Sequence, residues 1–232
     1  MRRLFQFRYL FTIATLVIAI LFTLYSKDTV NTKNNLSNLQ IKDYIPKNNL
    51  LKVFNGGFEN LGSISIVKNA DVDEYVIYNI NSATGGISVY RVTDDFIKLI
   101  YFKGEVEVFD KNYSSKDNNK DTIVLKSPIK KGTSWKDINN TQYEITGVNK
   151  KINTPSGDYN TLELTLEKKG YEIKKYYAKG LGVVKTVTKD LEFEDLQIVE
   201  SLIKVENINP DIQLNNAEKI KDLLNKYLND NR

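Results

Sequence analysis

The carboxylates are the groups best equipped to do chemistry in this chain, and they fall in short clusters. Asp71-Val-Asp73-Glu74 sets three of them in four residues. A calcium loop uses such spacing, but the expected glycine is absent and Tyr75 opens an apolar run, so a solvated hairpin turn is the expectation. Asp110-Lys-Asn112-Tyr-Ser114 begins like an EF-hand loop, with Asp121 at its twelfth position. Ser115 stands where that loop requires glycine and no helices flank it, which predicts a long polar hairpin loop. Glu105 and Glu107 share one face of an expected strand, and Glu192, Glu194 and Asp195 cluster later. Two carboxylates facing each other could run glycoside hydrolysis. With 29 acids in the chain such pairs arise by chance, so no catalytic residue and no metal ligand is assigned.

What the chain lacks narrows the chemistry further. It has no histidine and no cysteine. That removes the commonest general base, the usual zinc ligand, thiolate chemistry and every Ser-His or Cys-His nucleophile. A carboxylate-dependent hydrolase survives only as a third reading, the chain is not expected to be an enzyme, and no cofactor is implied.

Aromatic residues carry the alternative, recognition. The single tryptophan, in Gly132-Thr-Ser-Trp135, follows the turn-like Pro128-Ile-Lys-Lys. Its simplest role is a core plug at the end of a sheet, and its functional role would be a stacking platform for sugar rings. Stacking would need Tyr171, Tyr176 and Tyr177 to line one groove with Trp135, and these four are the candidate ligand-binding residues.

These side chains must be positioned by strands. Period-2 alternation rich in Val, Ile, Thr and Tyr predicts strands at 63–68, 74–80, 86–92, 159–166, 171–177, 181–187 and 196–205. Phe96 to Phe102 is denser and is expected to be buried on both faces. Turn signals separate the runs: Asn55-Gly56-Gly57, Gly85-Gly86, Pro155-Ser-Gly157-Asp158, Lys169-Gly170 and Gly180-Leu-Gly182. Strands joined by such short turns pair antiparallel. The fold class is therefore mainly β: an N-terminal transmembrane helix, then an antiparallel meander, half-barrel or sandwich, with one C-terminal amphipathic helix. That helix runs from Ala217 to about Leu228 behind an Asn215 or Asn216 cap. Its apolar face holds Ile220, Leu224 and Tyr227, expected to dock across the concave face of the sheet and otherwise able to dock a partner.

The first 26 residues decide location. Arg2, Arg3 and Arg8 precede an uninterrupted apolar run from Tyr9 to Tyr25. Seventeen helical residues cover roughly 26 Å, the short end of a bilayer span. The arginines place the N-terminus in the cytoplasm and everything from Lys27 outward beyond the membrane. Neither Leu24 with Ser26 nor Thr23 with Tyr25 resembles a small-residue cleavage site, so an uncleaved anchor is favoured over a cleaved signal. A lipid anchor on cysteine is excluded. The expected organisation is a cytoplasmic stub and signal anchor over 1–26, a flexible linker over 27–43, the β domain over 44–206 and the helical segment over 207–232. Of the 33 basic residues three precede the span, leaving 30 against 29 acids outside. A near-neutral exterior has no field to hold nucleic acid.

Four stretches carry a resemblance: Tyr44-Ile-Pro46 with Val53-Phe-Asn-Gly-Gly-Phe-Glu-Asn60, Leu125-Lys-Ser-Pro-Ile-Lys-Lys-Gly-Thr-Ser-Trp135, Thr154-Pro-Ser-Gly-Asp-Tyr159, and Tyr176-Tyr-Ala-Lys-Gly-Leu-Gly-Val-Val-Lys185. Together they resemble a group of uncharacterised clostridial and bacillar surface lipoproteins over about Tyr44 to Val187. The resemblance implies an extracytoplasmic antiparallel β domain in which a tyrosine-rich strand turns at Gly-x-Gly. It transfers no activity and no catalytic residue. Members often carry a lipobox cysteine, which this chain lacks. Some relatives look distantly like lipoprotein-carrier half-barrels, a fold-level analogy. The reading that results is a single-pass envelope protein that binds rather than catalyses, its ligand a lipid, a cell-wall glycan or another envelope protein. A structural or assembly subunit of an envelope complex is the alternative.

Overall fold

The computed structural model describes residues 39–56, 62–71, 73–109, 113, 118–193, 196–209 and 211–229. The expected span at 9–25 and linker residues 27–38 lie outside them, as do most of the EF-hand-like loop and Glu194 with Asp195. Among the described residues no helix is long and apolar enough to cross a membrane.

Twelve strands form a single antiparallel sheet. They are β1 Leu50–Phe54, β2 Ser63–Asp71, β3 Glu74–Asn81, β4 Gly85–Val92, β5 Phe96–Val106 and β6 Thr122–Lys126, then β7 Ser134–Lys136, β8 Gln142–Thr154, β9 Gly157–Lys168, β10 Tyr171–Ala178, β11 Gly182–Asp190 and β12 Gln197–Asn207. Their spatial order is β6-β5-β4-β3-β2-β1-β12-β11-β10-β9-β8-β7. Two meanders are thus joined in the middle, where β1 and β12 pair with Leu51 opposite Glu206 and Val53 opposite Lys204. The outer strands approach each other as well. The Trp135 indole Nε1 on β7 donates to the Ile123 carbonyl on β6 at 3.0 Å, so the sheet curls into a nearly closed barrel.

One face of the first meander is the main apolar core. Leu51 and Val53, Ile64 and Ile66, Val76 and Ile80, and Ile87 and Val89 recur at the strand period and are all buried. Each such side chain contributes about 1.5–3 kcal/mol on leaving water. The C-terminal segment covers this face: Leu214, Ile220, Tyr227 and Leu228 are buried against it. Helix α1 runs Ala217–Leu224, and the wider turn Asn225–Asn229 extends it to about the expected end. Asn216 is the cap, its side chain accepting from the Glu218 and Lys219 amides. The Tyr227 hydroxyl donates to Glu206, and the Lys204 ammonium lies 5.1 Å from the Tyr227 ring centre.

Three expectations need correction. Gly85 and Gly86 lie inside β4, after a turn at Ser82–Thr84; a Cβ on Gly85 would stand 2.4 Å from the Val106 carbonyl oxygen, so glycine there permits close strand approach. Phe96–Phe102 is not buried throughout, because bulges reset its register: Ile97 and Ile100 are buried while Phe102 is exposed. The domain begins before residue 44. Ile41–Tyr44 forms a short 3-10 helix with Ile41 and Tyr44 buried, so the end of the expected linker belongs to the folded body.

Candidate ligand cavity

The segment from Gln40 to Asn49 is the roof of the site, and it is pinned to the turn between β10 and β11. The Gly180 amide donates to the Asp43 carbonyl at 2.8 Å, and the Lys47 amide to the Gly180 carbonyl at 2.9 Å. Gly180 and Gly182 both have positive φ, and Pro46 lies so close that a Cβ on Gly182 would stand 3.3 Å from its Cδ. The glycine pair is therefore required twice, for the turn and for the contact. Lys179 adds an ion pair with Asp43 at 2.9 Å. Two of the stretches quoted for the resemblance, Tyr44-Ile-Pro46 and Tyr176–Lys185, are brought into contact here.

Beneath this roof lies a partly enclosed cavity of about 80 Å3. Tyr44 and Pro46 close it above, and Tyr75 and Tyr90 stack at 4.9 Å on one wall. Lys175 and Tyr177 of β10 face them from the second meander, and Lys52 of β1 reaches in from the centre of the sheet. Among the described residues no acidic one lines the cavity. Lys52 is buried, and its Nζ donates to the Leu181 and Val183 carbonyls at 3.0 and 3.1 Å, with the Phe54 ring centre 5.3 Å away. Burial lowers its pKa to about 8. Burial also lowers that of Lys175, against which the charge of Glu200 acts. Register sets Glu200 opposite Thr186, which is opposite Lys175, so the carboxylate stands two strands away, roughly 10 Å. Burial raises the Tyr75 and Tyr177 hydroxyls well above the ordinary value; for Tyr44, burial and then the Asp43 charge raise it to about 12.

Pro46 and Tyr75 also line a second, open cleft of about 400 Å3. Lys42, Asn48, Asn69, Asp73 and Glu74 give this cleft its polar groups. Asn48 holds its rim in place, its side-chain oxygen accepting from the Asn49 and Asn69 amides at 2.9 and 2.8 Å. Glu74 is buried, and one of its oxygens accepts from Arg91 Nε and Nη2 at 3.1 and 3.0 Å. The two compartments adjoin at Pro46 and Tyr75, the outer one polar and of mixed charge, the inner one aromatic and cationic.

The sequence-selected residues are dispersed. Trp135 is buried, stacked on Tyr143 at 5.4 Å. Tyr171 is 46% exposed, and Tyr176 and Tyr177 occupy opposite faces of β10, so these four line no common groove. Tyr177 alone reaches the cavity. Ile220 and Tyr227 are buried against the protein's own sheet, with Leu224 partly buried beside them. Lys52, Lys175, Tyr75 and Tyr90 were not singled out by the sequence, and the available signal was one lysine inside the apolar run Leu50–Phe54 and two, Lys174 and Lys175, inside the strand segment Ile173–Tyr177.

A second polar cluster is structural. Glu163 is buried on the other face of β9, where burial opposes its ionisation, but Lys150, Tyr176 and Thr146 hydrogen-bond it and hold its pKa below the ordinary value. Among the described residues no group of three or more acidic side chains could hold a metal ion.

No family model matches the chain, and no curated protein matches it. Two solved structures are similar to it. A candidate exported protein with a YmcC-like fold from Bacteroides fragilis aligns at 13% identity, covering 70% of this chain and 98% of its own, with a TM-score of 0.43. A candidate lipoprotein from Parabacteroides distasonis aligns at 12% identity over 71% of this chain and 99% of its own, with a TM-score of 0.39.

Proposed function

We propose that the protein is an extracytoplasmic binding protein of a bacterial envelope, tethered by residues 9–25, that takes a small polar ligand into the cleft between Asn48, Asn69 and Asp73. One observation carries this reading: the docked segment 40–49 encloses a cleft and an inner cavity that share Pro46 and Tyr75. A lipid carrier in the manner of a half-barrel is less well supported, because the apolar face that would hold an acyl chain is filled by Leu214, Ile220 and Tyr227. Glycan stacking on Trp135 lacks an exposed ring. Binding rather than hydrolysis fits a cleft whose buried carboxylate, Glu74, is held by Arg91.

Site-specific photocrosslinking in the native membrane tests the reading. A photoreactive residue replacing Asn69 should capture a small polar molecule, whereas the same residue replacing Ile138, which is 78% exposed and far from the cleft in the strand order, should not. Equal capture at both positions would overturn it. Protein adducts at Asn69 alone would favour the assembly-subunit alternative. Because the chain has no native cysteine, Ile138→Cys also reports location: a membrane-impermeant maleimide should label it in intact cells.

A further inference from the structure

The inner cavity has a chemistry that the outer cleft does not. Among the described residues its lining contains two lysines and four tyrosines and no acid. Lys52 is already committed to two backbone carbonyls. Lys175 Nζ has no hydrogen-bond or ion-pair partner among the described residues, and neither the Tyr75 nor the Tyr177 hydroxyl makes a hydrogen bond there. Lys175 is half-buried and lines the cavity with its ammonium unpartnered, so an anion of matched size would gain a charge-assisted hydrogen bond there. The volume, about 80 Å3, exceeds the ~30 Å3 share of one water and suits a group of a few heavy atoms. One available ammonium flanked by hydroxyl donors matches a singly charged acceptor with two oxygens.

We propose that the inner cavity binds the carboxylate of the ligand whose polar remainder occupies the outer cleft, with Lys175 as the charge partner and the Tyr75 and Tyr177 hydroxyls as donors. This inference rests on the cleft being a binding site. Lys52 adds field without direct contact, and Glu200 opposes the anion from two strands away. Such a carboxylate could belong to an acidic sugar or to a peptide terminus. The chemistry recognised is the same, and the probes separate the two sources.

The experiment is calorimetric titration of the full chain in detergent at neutral pH. The probes are D-glucuronate and N-acetylglycylglycine, their neutral counterparts methyl glucoside and N-acetylglycylglycinamide, and inorganic phosphate. At least one carboxylate should bind tenfold or more tightly than its neutral counterpart, and which one does names the source. Lys175→Met should remove that preference, Lys175→Arg should keep it, and Tyr75→Phe should weaken it severalfold. Because protonated Lys175 is required, the preference should fade as pH rises, and sooner than for a solvent-exposed lysine. Circular dichroism and the unfolding midpoint confirm that each variant folds. Equal affinity for neutral and acidic probes, an unchanged preference in Lys175→Met, or phosphate binding as tightly as either carboxylate would overturn the inference. Neutral probes that bind wild type and are lost in Asn69→Trp would leave the cleft reading standing in that case. Absence of binding by every probe would overturn both.

Discussion

The two faces of the first meander are both covered, but by different means. One carries Leu51, Ile64, Ile66, Val76 and Ile87 and is sealed by the C-terminal segment through Ile220, Tyr227 and Leu228. The other carries Lys52, Tyr75 and Tyr90 and is covered by the second meander and the roof segment, leaving a cavity. The first face is a complete apolar contact whose free energy is that of burial. The second keeps one buried ammonium, Lys52, one half-buried, Lys175, and several hydroxyls in place of hydrocarbon. A sheet designed only for stability would fill both faces alike, so the difference separates the face that holds the fold from the face on which the proposed ligand would sit.

Truncation on the sealed face gives the largest expected effect. Ile66 is fully buried between β1 and β3, and Ile66→Ala should destabilise the protein by about 3 kcal/mol through lost transfer energy and a residual cavity. Denaturant midpoints measure this. Ligand affinity of the folded fraction should stay unchanged. A matching loss of affinity would show that the two faces do not act separately.

Titration tests the other face. Lys52 has a folded-state pKa of about 8 against about 10.4 for an unfolded lysine. Below pH 8 both states carry the proton and the burial cost is present in full. Between pH 8 and 10 the unfolded state binds more protons, so stability should rise, on the order of 2 kcal/mol across the window. Above pH 10 the tyrosines reverse the slope, since Tyr44, raised to about 12, ionises first in the unfolded chain. The maximum near pH 10 should shrink in Lys52→Met to the rise that Lys175 still contributes, and unfolding curves across that range would show it. At neutral pH the same variant should be close to wild type, because relief of the charge is set against the Leu181 and Val183 carbonyls left without a donor.

The roof gives an intermediate effect with the opposite division. Gly182→Ala places a Cβ at φ +66, 3.3 Å from Pro46, and should cost about 1–2 kcal/mol. Because the strain falls on the contact that encloses the cavity, affinity should fall more than stability does. Loss of stability with intact affinity would locate the ligand elsewhere.

How much of this was legible follows from the same residues. Strand β9 was readable because Leu162, Leu164 and Leu166 alternate without interruption. Strand β8 was not, because register shifts around Gly147 and a positive φ at Asn149 break its period. β1 was hidden by Lys52, a charge where hydrocarbon would mark the core, and β7 is only three residues long. The pairing of β1 with β12 joins segments at opposite ends of the domain, which no local period encodes. Site residues were missed for the same reason: Lys175 and Tyr75 acquire meaning only when the second meander folds over the first. The carboxylate clusters, conspicuous in sequence, took ordinary roles, as when Asp121 pairs with exposed geometry to Lys98 and Glu74 with Arg91.

The smallest effect should come from the cap of the sealing helix. Asn216 satisfies two amides at the start of α1, with oxygen–nitrogen distances of 2.8 and 3.4 Å. Asn216→Ala should cost about 1 kcal/mol by leaving those donors to water. Glu218 in the first turn continues to favour the helix dipole, which limits the loss. Local opening of the helix becomes about fivefold more frequent at that cost, and amide exchange around Ile220 should accelerate accordingly. Exchange at Tyr75 and Tyr177 should not change, since the cavity is roofed by residues 40–49 and not by α1. Acceleration at both places would mean that the seal and the cavity open together, and the two faces would then be one cooperative unit.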